Sequence, residues 1–379
     1  MNTKYGCWIV GDKLFEKKAE ALVYASKVNL SPKYYYYNNV WKNLDRTLLG
    51  KIPLEQLYKE RAQQLRDKYD YLILYFSGGA DSTNILMTYL NNNIKIDEVR
   101  VKWPKALRDG KHYTPNTQDR TIFNIWSEWD FVIKPFLDKL SVSHPEINIT
   151  FVDQTETLTT KNVERAFETT NHARGGLLLN FGNSVITSKS SKVGHIFGFD
   201  KPTIALDDNN VVHMFFSDVT LNLLYSDAGY DPESKECFYW SPDMPILPME
   251  MAYQVSQYYN VNKDKRRFLY TLVNGEVTEQ NHQFLKLKVQ VQNNITKSVC
   301  YPNWDKNTFQ AEKVTSITAY DKWHWFFYNP EYQDVVDAFY SMARNITQGI
   351  DSNYIVGPTN SPVFKVLNTE MFPIITLKD

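Results

Sequence analysis

Three observations predict an α/β fold with a doubly wound, parallel sheet. Tyr71 to Phe76 is an unbroken apolar run, the pattern of a strand buried on both faces. It turns at Ser77-Gly78-Gly79-Ala80-Asp81-Ser82 and continues with helical periodicity to Leu90. Further on, strand-like runs at Glu98–Trp103, Ile147–Val152 and His195–Phe199 alternate with helix-like stretches at Asp119–Leu140 and Lys161–Ala173. Alternation of this kind puts helices on both faces of a parallel sheet and ligand sites at the C-terminal ends of its strands.

In chain order, residues 1–60 read as a small leading α/β module. Tyr5–Val10 has strand character and Gly11-Asp12 that of a turn. Phe15, Ala19, Leu22 and Val23 then fall on one face of a helix expected over Phe15–Lys27. The tyrosine run Tyr34–Tyr37 fits a strand whose rings pack against the sheet, and Leu54–Lys68 a polar helix leading into the core. The core is expected over 61–206, with a helix after Asp119 kinked at Pro135. Residues 207–379 read as a mixed, largely helical region that would cap the sheet and supply a substrate pocket. In it, Asp207-Asp208-Asn209-Asn210 is a hairpin turn between Thr203–Leu206 and Val211–Phe216, and Glu236–Pro245 is an aromatic, proline-containing loop. Helices are expected at Leu247–Tyr259 and Glu331–Ile346.

The turn after Phe76 carries the chemistry. Adjacent glycines allow positive φ or close approach of a ligand to the backbone. A helix beginning at or near Asp81 directs its unpaired N–H groups and positive dipole end into the same turn, which makes an anion site suited to phosphate. Neither GxxxxGK[ST] nor GxGxxG is present there.

Ser77-Gly78-Gly79-Ala80-Asp81-Ser82-Thr83 resembles the SGGxDS signature of the PP-loop superfamily, the N-type ATP pyrophosphatases, among them asparagine synthetase and deazaguanine synthase. The resemblance implies a Rossmann-like, adenine nucleotide α-hydrolase-like core and cleavage of ATP to AMP and pyrophosphate with adenylation of an acceptor for amidation, amination or ligation. It implies ATP and Mg²⁺ as ligands. The phosphates would lie on the N–H groups of Gly78, Gly79 and Ala80, helped by the hydroxyls of Ser77, Ser82 and Thr83. Asp81 would hold Mg²⁺ and cap the helix. Adenine would meet the backbone near Val101 and Lys102. In Gly194–Ile204, the Asp200-Lys201-Pro202 step follows a short apolar strand. The resemblance implies a later basic residue that holds the departing pyrophosphate, a role Lys201 would fill, with Asp200 as the residue that would bind Mg²⁺ or receive a substrate amine; the same residues also make an ordinary turn closed by proline. His195, along the strand, reads as a packed core residue.

Composition narrows the class. The formal net charge of −1 over 379 residues indicates no general bias toward nucleic acid or membrane. No stretch approaches the ~20 apolar residues of a membrane span, and the N-terminus lacks the layout of a secretory signal, so a cytoplasmic protein is expected. Cys7, Cys237 and Cys300 are widely separated with no CxxC, which disfavours a thiolate-built zinc site or iron–sulfur cluster and departs from the cysteine-clustered members of the family. Position 2 is Asn2, not the cysteine of a glutaminase. Ammonia, if consumed, would come from solution or a partner protein, and the acceptor is a small molecule or nucleobase; oligomers are compatible with all of this. Two alternatives stay open: a reductase of adenylylated sulfate using Cys300, and a nucleotide-binding regulatory protein without turnover.

Overall fold

The computed structural model describes residues 4–103, 105, 129–153, 155, 160, 192–198, 201–218, 234–273, 276–277, 282–302, 330–356 and 363–378. The expected helix at 161–173 and most of the one from Asp119 lie outside them.

The leading module is a three-stranded antiparallel sheet, ordered β2-β1-β3, from Cys7–Val10 (β1), Lys13–Phe15 (β2) and Lys33–Tyr35 (β3). Helices Lys18–Val28 (α1) and Asn38–Asn43 (α2) complete it. The helix expected from Phe15 starts later. Phe15 pairs with Trp8 in the sheet, so Gly11-Asp12 is a hairpin turn and not a strand-to-helix link. The buried face of α1 is accordingly Lys18, Ala21, Leu22 and Ala25, with Val23 exposed. Lys18 tolerates burial because its ammonium pairs with Asp218 at 2.6 Å; Trp8 Nε1 donates to the same carboxylate at 3.0 Å. Of the tyrosine run, β3 takes Tyr34 and Tyr35. Tyr36 is buried against Trp41, and Tyr37, at φ 47°, turns the chain into α2.

Leu54–Lys68 (α3) leads into Tyr71–Tyr75 (β4), Ala80–Asn91 (α4) and Glu98–Trp103 (β5). After one π-helical turn at Trp129–Ile133, Lys134–Ser143 (α5) continues with Pro135 in its first turn, and Asn148–Asp153 (β6) follows. Val193–Phe197 (β7) comes next, then the hairpin Thr203–Leu206 (β8) and Val211–Phe215 (β9), then Lys235–Cys237 (β10). The hairpin turn is as the sequence predicts: the Asp207 carboxylate accepts from the N–H groups of Asn209 and Val211 at 2.9 and 2.8 Å, and Asn210 takes φ 58°.

Five of these strands form a parallel sheet ordered β10-β7-β4-β5-β6. The chain builds outward from β4 through β5 to β6, then returns to the other side of β4 with β7 and β10. The protein is thus α/β with a five-stranded parallel sheet compatible with a Rossmann-like fold. Leu72, Leu74, Val99, Val101 and Ile196 are buried in the main core, and α3 and α4 pack together against β4.

One further expectation needs correction. Glu236–Trp240 is not simply loop, since β10 is the fifth strand of the parallel sheet. Lys-Glu-Cys has no apolar run to announce it. Its burial is possible because Glu236 receives Arg61 at 3.2 Å, Lys68 at 2.7 Å and the Tyr69 hydroxyl at 2.6 Å. The sheet therefore draws a strand from beyond residue 206. The C-terminal region is mixed, and helices hold more of its described residues than strands do. Alongside Ile246–Val261 (α6), Tyr270–Val273 (β11), Glu276–Val277 (β12), His282–Cys300 (α7) and Gln333–Ile346 (α8), it contains the short hairpin Ile355–Val356 (β13) with Val363–Phe364 (β14), and Phe372–Thr376 (β15). A second five-stranded sheet, ordered β12-β11-β8-β9-β15, joins strands of two to five residues far apart in the chain. Such short segments carry little periodicity of their own. Among the described residues no helix is long and apolar enough to cross a membrane.

Candidate functional site

The parallel sheet reverses its direction of growth between β4 and β7. In open α/β sheets, a crevice at the strand C-termini opens at such a point. The glycine turn lies there, at the end of β4. Gly78 has φ +70°, a conformation that suits glycine, and a Cβ on it would sit 2.7 Å from Ile133 Cγ1. The serines brace the turn: Ser77 N–H donates to Ser82 Oγ at 3.2 Å, the two hydroxyls are 3.3 Å apart, and Ser82 Oγ donates to Gly79 O at 3.2 Å. Gly79 N–H reaches Ser77 Oγ at 3.4 Å. Helix α4 starts at Ala80 with Gly79 as its N-cap and no side-chain cap. The buried Thr83 closes the first turn by donating its N–H to Gly79 O at 3.0 Å. The preceding N–H groups, of Ala80, Asp81 and Ser82, belong to the open end of the helix and make it electropositive.

Asp81 does not cap the helix as expected. It occupies the second helical position, and its carboxylate turns to other partners. Lys201 Nζ donates to Asp81 Oδ1 at 2.7 Å, and the Tyr301 hydroxyl donates to the same oxygen. Asp81 Oδ2 makes no hydrogen bond among the described residues, and a quarter of the side chain (25%) is exposed, against 7% for Lys201. Burial alone would raise the Asp81 carboxyl; the Lys201 charge and the hydrogen bonds from Lys201 and Tyr301 outweigh it and hold the group below the ordinary carboxylate value. Tyr239 adds a third contact, donating its hydroxyl to the Asp81 main-chain O at 2.9 Å while accepting from Asn84 at 3.0 Å. Burial, reinforced by the charge of Asp81, keeps both phenols well above their usual value, so they stay donors.

Gly198, just after β7, packs closely on the start of α4: a Cβ there would lie 2.9 Å from Ile85 Cδ1 and 3.2 Å from Ser82 N. The sequence thus placed Lys201 and the glycine turn on the same side of the sheet, and the structure brings them into contact. Asp200, next to Lys201, lies outside the described residues.

Val101 and Lys102 are near the turn but not in it. The β4–β5 register ends at Tyr75–Arg100, whereas the β5–β6 register runs on to Trp103–Asp153, so 101–103 extend past β4 and flank Ser77. Val101 is buried; Lys102 Nζ lies 4.9 Å from the Tyr75 ring, which stacks on Phe197 at 4.3 Å. His195 is fully buried with Nδ1 3.1 Å from the Tyr75 hydroxyl. Burial, and then the charges of Arg100, Lys102 and Lys235, lower it to about 3, so it is neutral at ordinary pH. Cys300 is buried and burial pushes its thiol up to about 12, far from a nucleophilic thiolate.

No group of three or more His, Cys, Asp or Glu side chains able to hold a metal ion occurs among the described residues. Among the described residues the site offers one carboxylate oxygen without a hydrogen bond, Asp81 Oδ2, which would suit a Mg²⁺ ion carried by phosphates, since Mg²⁺ is commonly held by one or two carboxylates plus substrate oxygens. Tyr239 and Tyr301 are the site residues that sequence reasoning missed. Tyr239 sits in an aromatic stretch that reads as packing, and Tyr301 carries no motif. Comparison with known proteins finds no matching family model, no similar curated protein and no similar solved structure.

Proposed function

We propose that the chain is an ATP pyrophosphatase-type enzyme of the PP-loop kind, which transfers the adenylyl group of ATP to an acceptor oxygen and releases pyrophosphate. One observation carries the reading. At the point where strand order reverses, Lys201 Nζ, delivered by the segment after β7, lies 2.7 Å from Asp81 on the glycine turn after β4. A phosphate-binding turn, a helix N-terminus, a carboxylate and a lysine thus share one crevice.

In this reading the N–H groups from Gly78 to Ala80 and the first turn of α4 take the phosphates, with the hydroxyls of Ser77 and Ser82 bracing the turn. Lys201 is a point charge that exchanges Asp81 for phosphate oxygens and neutralises pyrophosphate as it leaves. Asp81 Oδ2 is the oxygen offered to Mg²⁺, which when bound shields the phosphate charge. The backbone beyond Val101 and Lys102 borders the adenine. The acceptor oxygen attacks the α-phosphorus in line, and most of the acceleration comes from positioning and charge neutralisation. An amine or ammonia then displaces AMP from the activated small-molecule or nucleobase acceptor. The buried, protonated Cys300 counts against sulfate reduction on the same fold.

Incubation with ATP labelled at the α-phosphate, Mg²⁺ and candidate acceptors is expected to yield AMP and pyrophosphate. Exclusive ADP release would refute the mechanism. ATP binding that survives Asp81→Ala, with turnover in neither form, would mark a nucleotide-binding protein instead.

A further inference from the structure

Asp81 Oδ1 accepts from two donors of very different mobility. Lys201 reaches it on a flexible four-carbon stem, which can swing to a phosphate. Tyr301 cannot. Its ring is 3% exposed and lies 5.8 Å from the Tyr239 ring, and its N–H donates to Lys297 O at 2.9 Å at the end of α7. That helix end is fixed in turn, since the Tyr58 hydroxyl on α3 donates to Cys300 O at 2.8 Å. A rigid donor and a mobile one therefore share the same oxygen, while Oδ2 has no hydrogen-bond partner among the described residues.

We propose that Tyr301 is a positioning residue for the metal ligand: it keeps hold of Asp81 Oδ1 when Lys201 moves to the phosphates, so that Oδ2 stays presented to a divalent cation carried by the nucleotide. This role rests on the nucleotide reading above. Without the hydroxyl, the carboxylate loses the fixed donor it has among the described residues once Lys201 leaves, and it rotates more freely. Hydrogen-bond partners that orient a metal-ligating group are commonly worth ten- to hundredfold in metal affinity. Tyr239 provides the contrast, because its hydroxyl bonds the main chain of Asp81 and not the carboxylate.

The test is equilibrium dialysis of labelled ATP against the full chain, once in EDTA and once over a MnCl₂ titration, for the unaltered protein, Tyr301→Phe and Tyr239→Phe. Tyr301→Phe removes a single oxygen, and circular dichroism checks that the variant is folded. Tyr301→Phe is expected to raise the Mn²⁺ concentration needed for half-maximal ATP retention by about tenfold or more, with ATP binding in EDTA unchanged. Tyr239→Phe, which leaves both donors to the carboxylate in place, is expected to shift the Mn²⁺ midpoint less than Tyr301→Phe does. An unchanged midpoint in Tyr301→Phe would overturn the proposal, as would equal losses with and without metal, which mark a purely structural role. ATP retention absent from the unaltered chain would overturn the nucleotide reading itself, and this role with it.

Discussion

Replacing Lys201 with methionine removes the ammonium while keeping most of the stem, and it isolates the ion pair on which the site is built. The Lys201 side chain is 7% exposed and that of Asp81 25%, with 2.7 Å between Nζ and Oδ1. Stripping one partner from a fully buried pair costs about 3–5 kcal/mol, mostly through the charge left behind. Here part of the carboxylate stays hydrated and Tyr301 still donates to it, so about 2–3 kcal/mol is expected for Lys201→Met. Asp81→Asn in the Lys201→Met background leaves no unpaired charge. The cycle should then show a coupling of about 2 kcal/mol between the two positions. The pH dependence follows from the sign of the shift. Asp81 has a folded-state value below its unfolded one, so its contribution is fully present above the unfolded carboxyl's value of about 3.9. It is lost as pH falls through the lower folded value. The gap between the unaltered chain and Lys201→Met should therefore hold at neutral pH and close under acid. Guanidinium denaturation followed by tryptophan fluorescence reads both quantities. Additivity within about 0.5 kcal/mol, or a penalty that acid leaves intact, would refute the reasoning.

Two further predictions address the turn and the cysteine. Gly78→Ala forces a side chain into φ +70° with its Cβ 2.7 Å from Ile133 Cγ1, at about 1–2 kcal/mol for the backbone and a further 1–3 kcal/mol for overpacking. In an Ile133→Ala background only the backbone part should remain, and an equal cost in both backgrounds by denaturation would contradict the contact. Cys300, buried with its thiol pushed up to about 12, should stay unmodified by a disulfide reagent near pH 8 until the chain is denatured; labelling of Cys300 in the folded protein, located by peptide mass, would disprove its protection.

What the sequence reveals follows the range of the forces involved. Strand β4, the glycine turn and α4 are legible because their signals are local: an apolar run, adjacent glycines and a helical period within twenty or so residues. Lys201 is legible for a topological reason, since a residue just after a parallel strand falls on the ligand side of the sheet. Strand β10 is hidden because its burial depends on Arg61 and Lys68 neutralising Glu236 from another element. The start of α1 is misread because Phe15 answers to its cross-strand partner Trp8 before its helical neighbours. Tyr301 meets Asp81 across 220 positions of chain, and no spacing rule connects the two. The second sheet is of the same kind, with β9 pairing β15 from the far end of the molecule.

The proposed chemistry cuts ATP between its α- and β-phosphates, and a double-label experiment measures that directly. The chain is incubated with Mg²⁺, candidate acceptors and ATP carrying one label at the α-phosphate and a different one at the γ-phosphate. The expected result is α-label in AMP or in an adenylylated acceptor and γ-label in pyrophosphate, with both signals reduced in Lys201→Met. Release of the γ-label as orthophosphate, with the α-label retained in ADP, would contradict it.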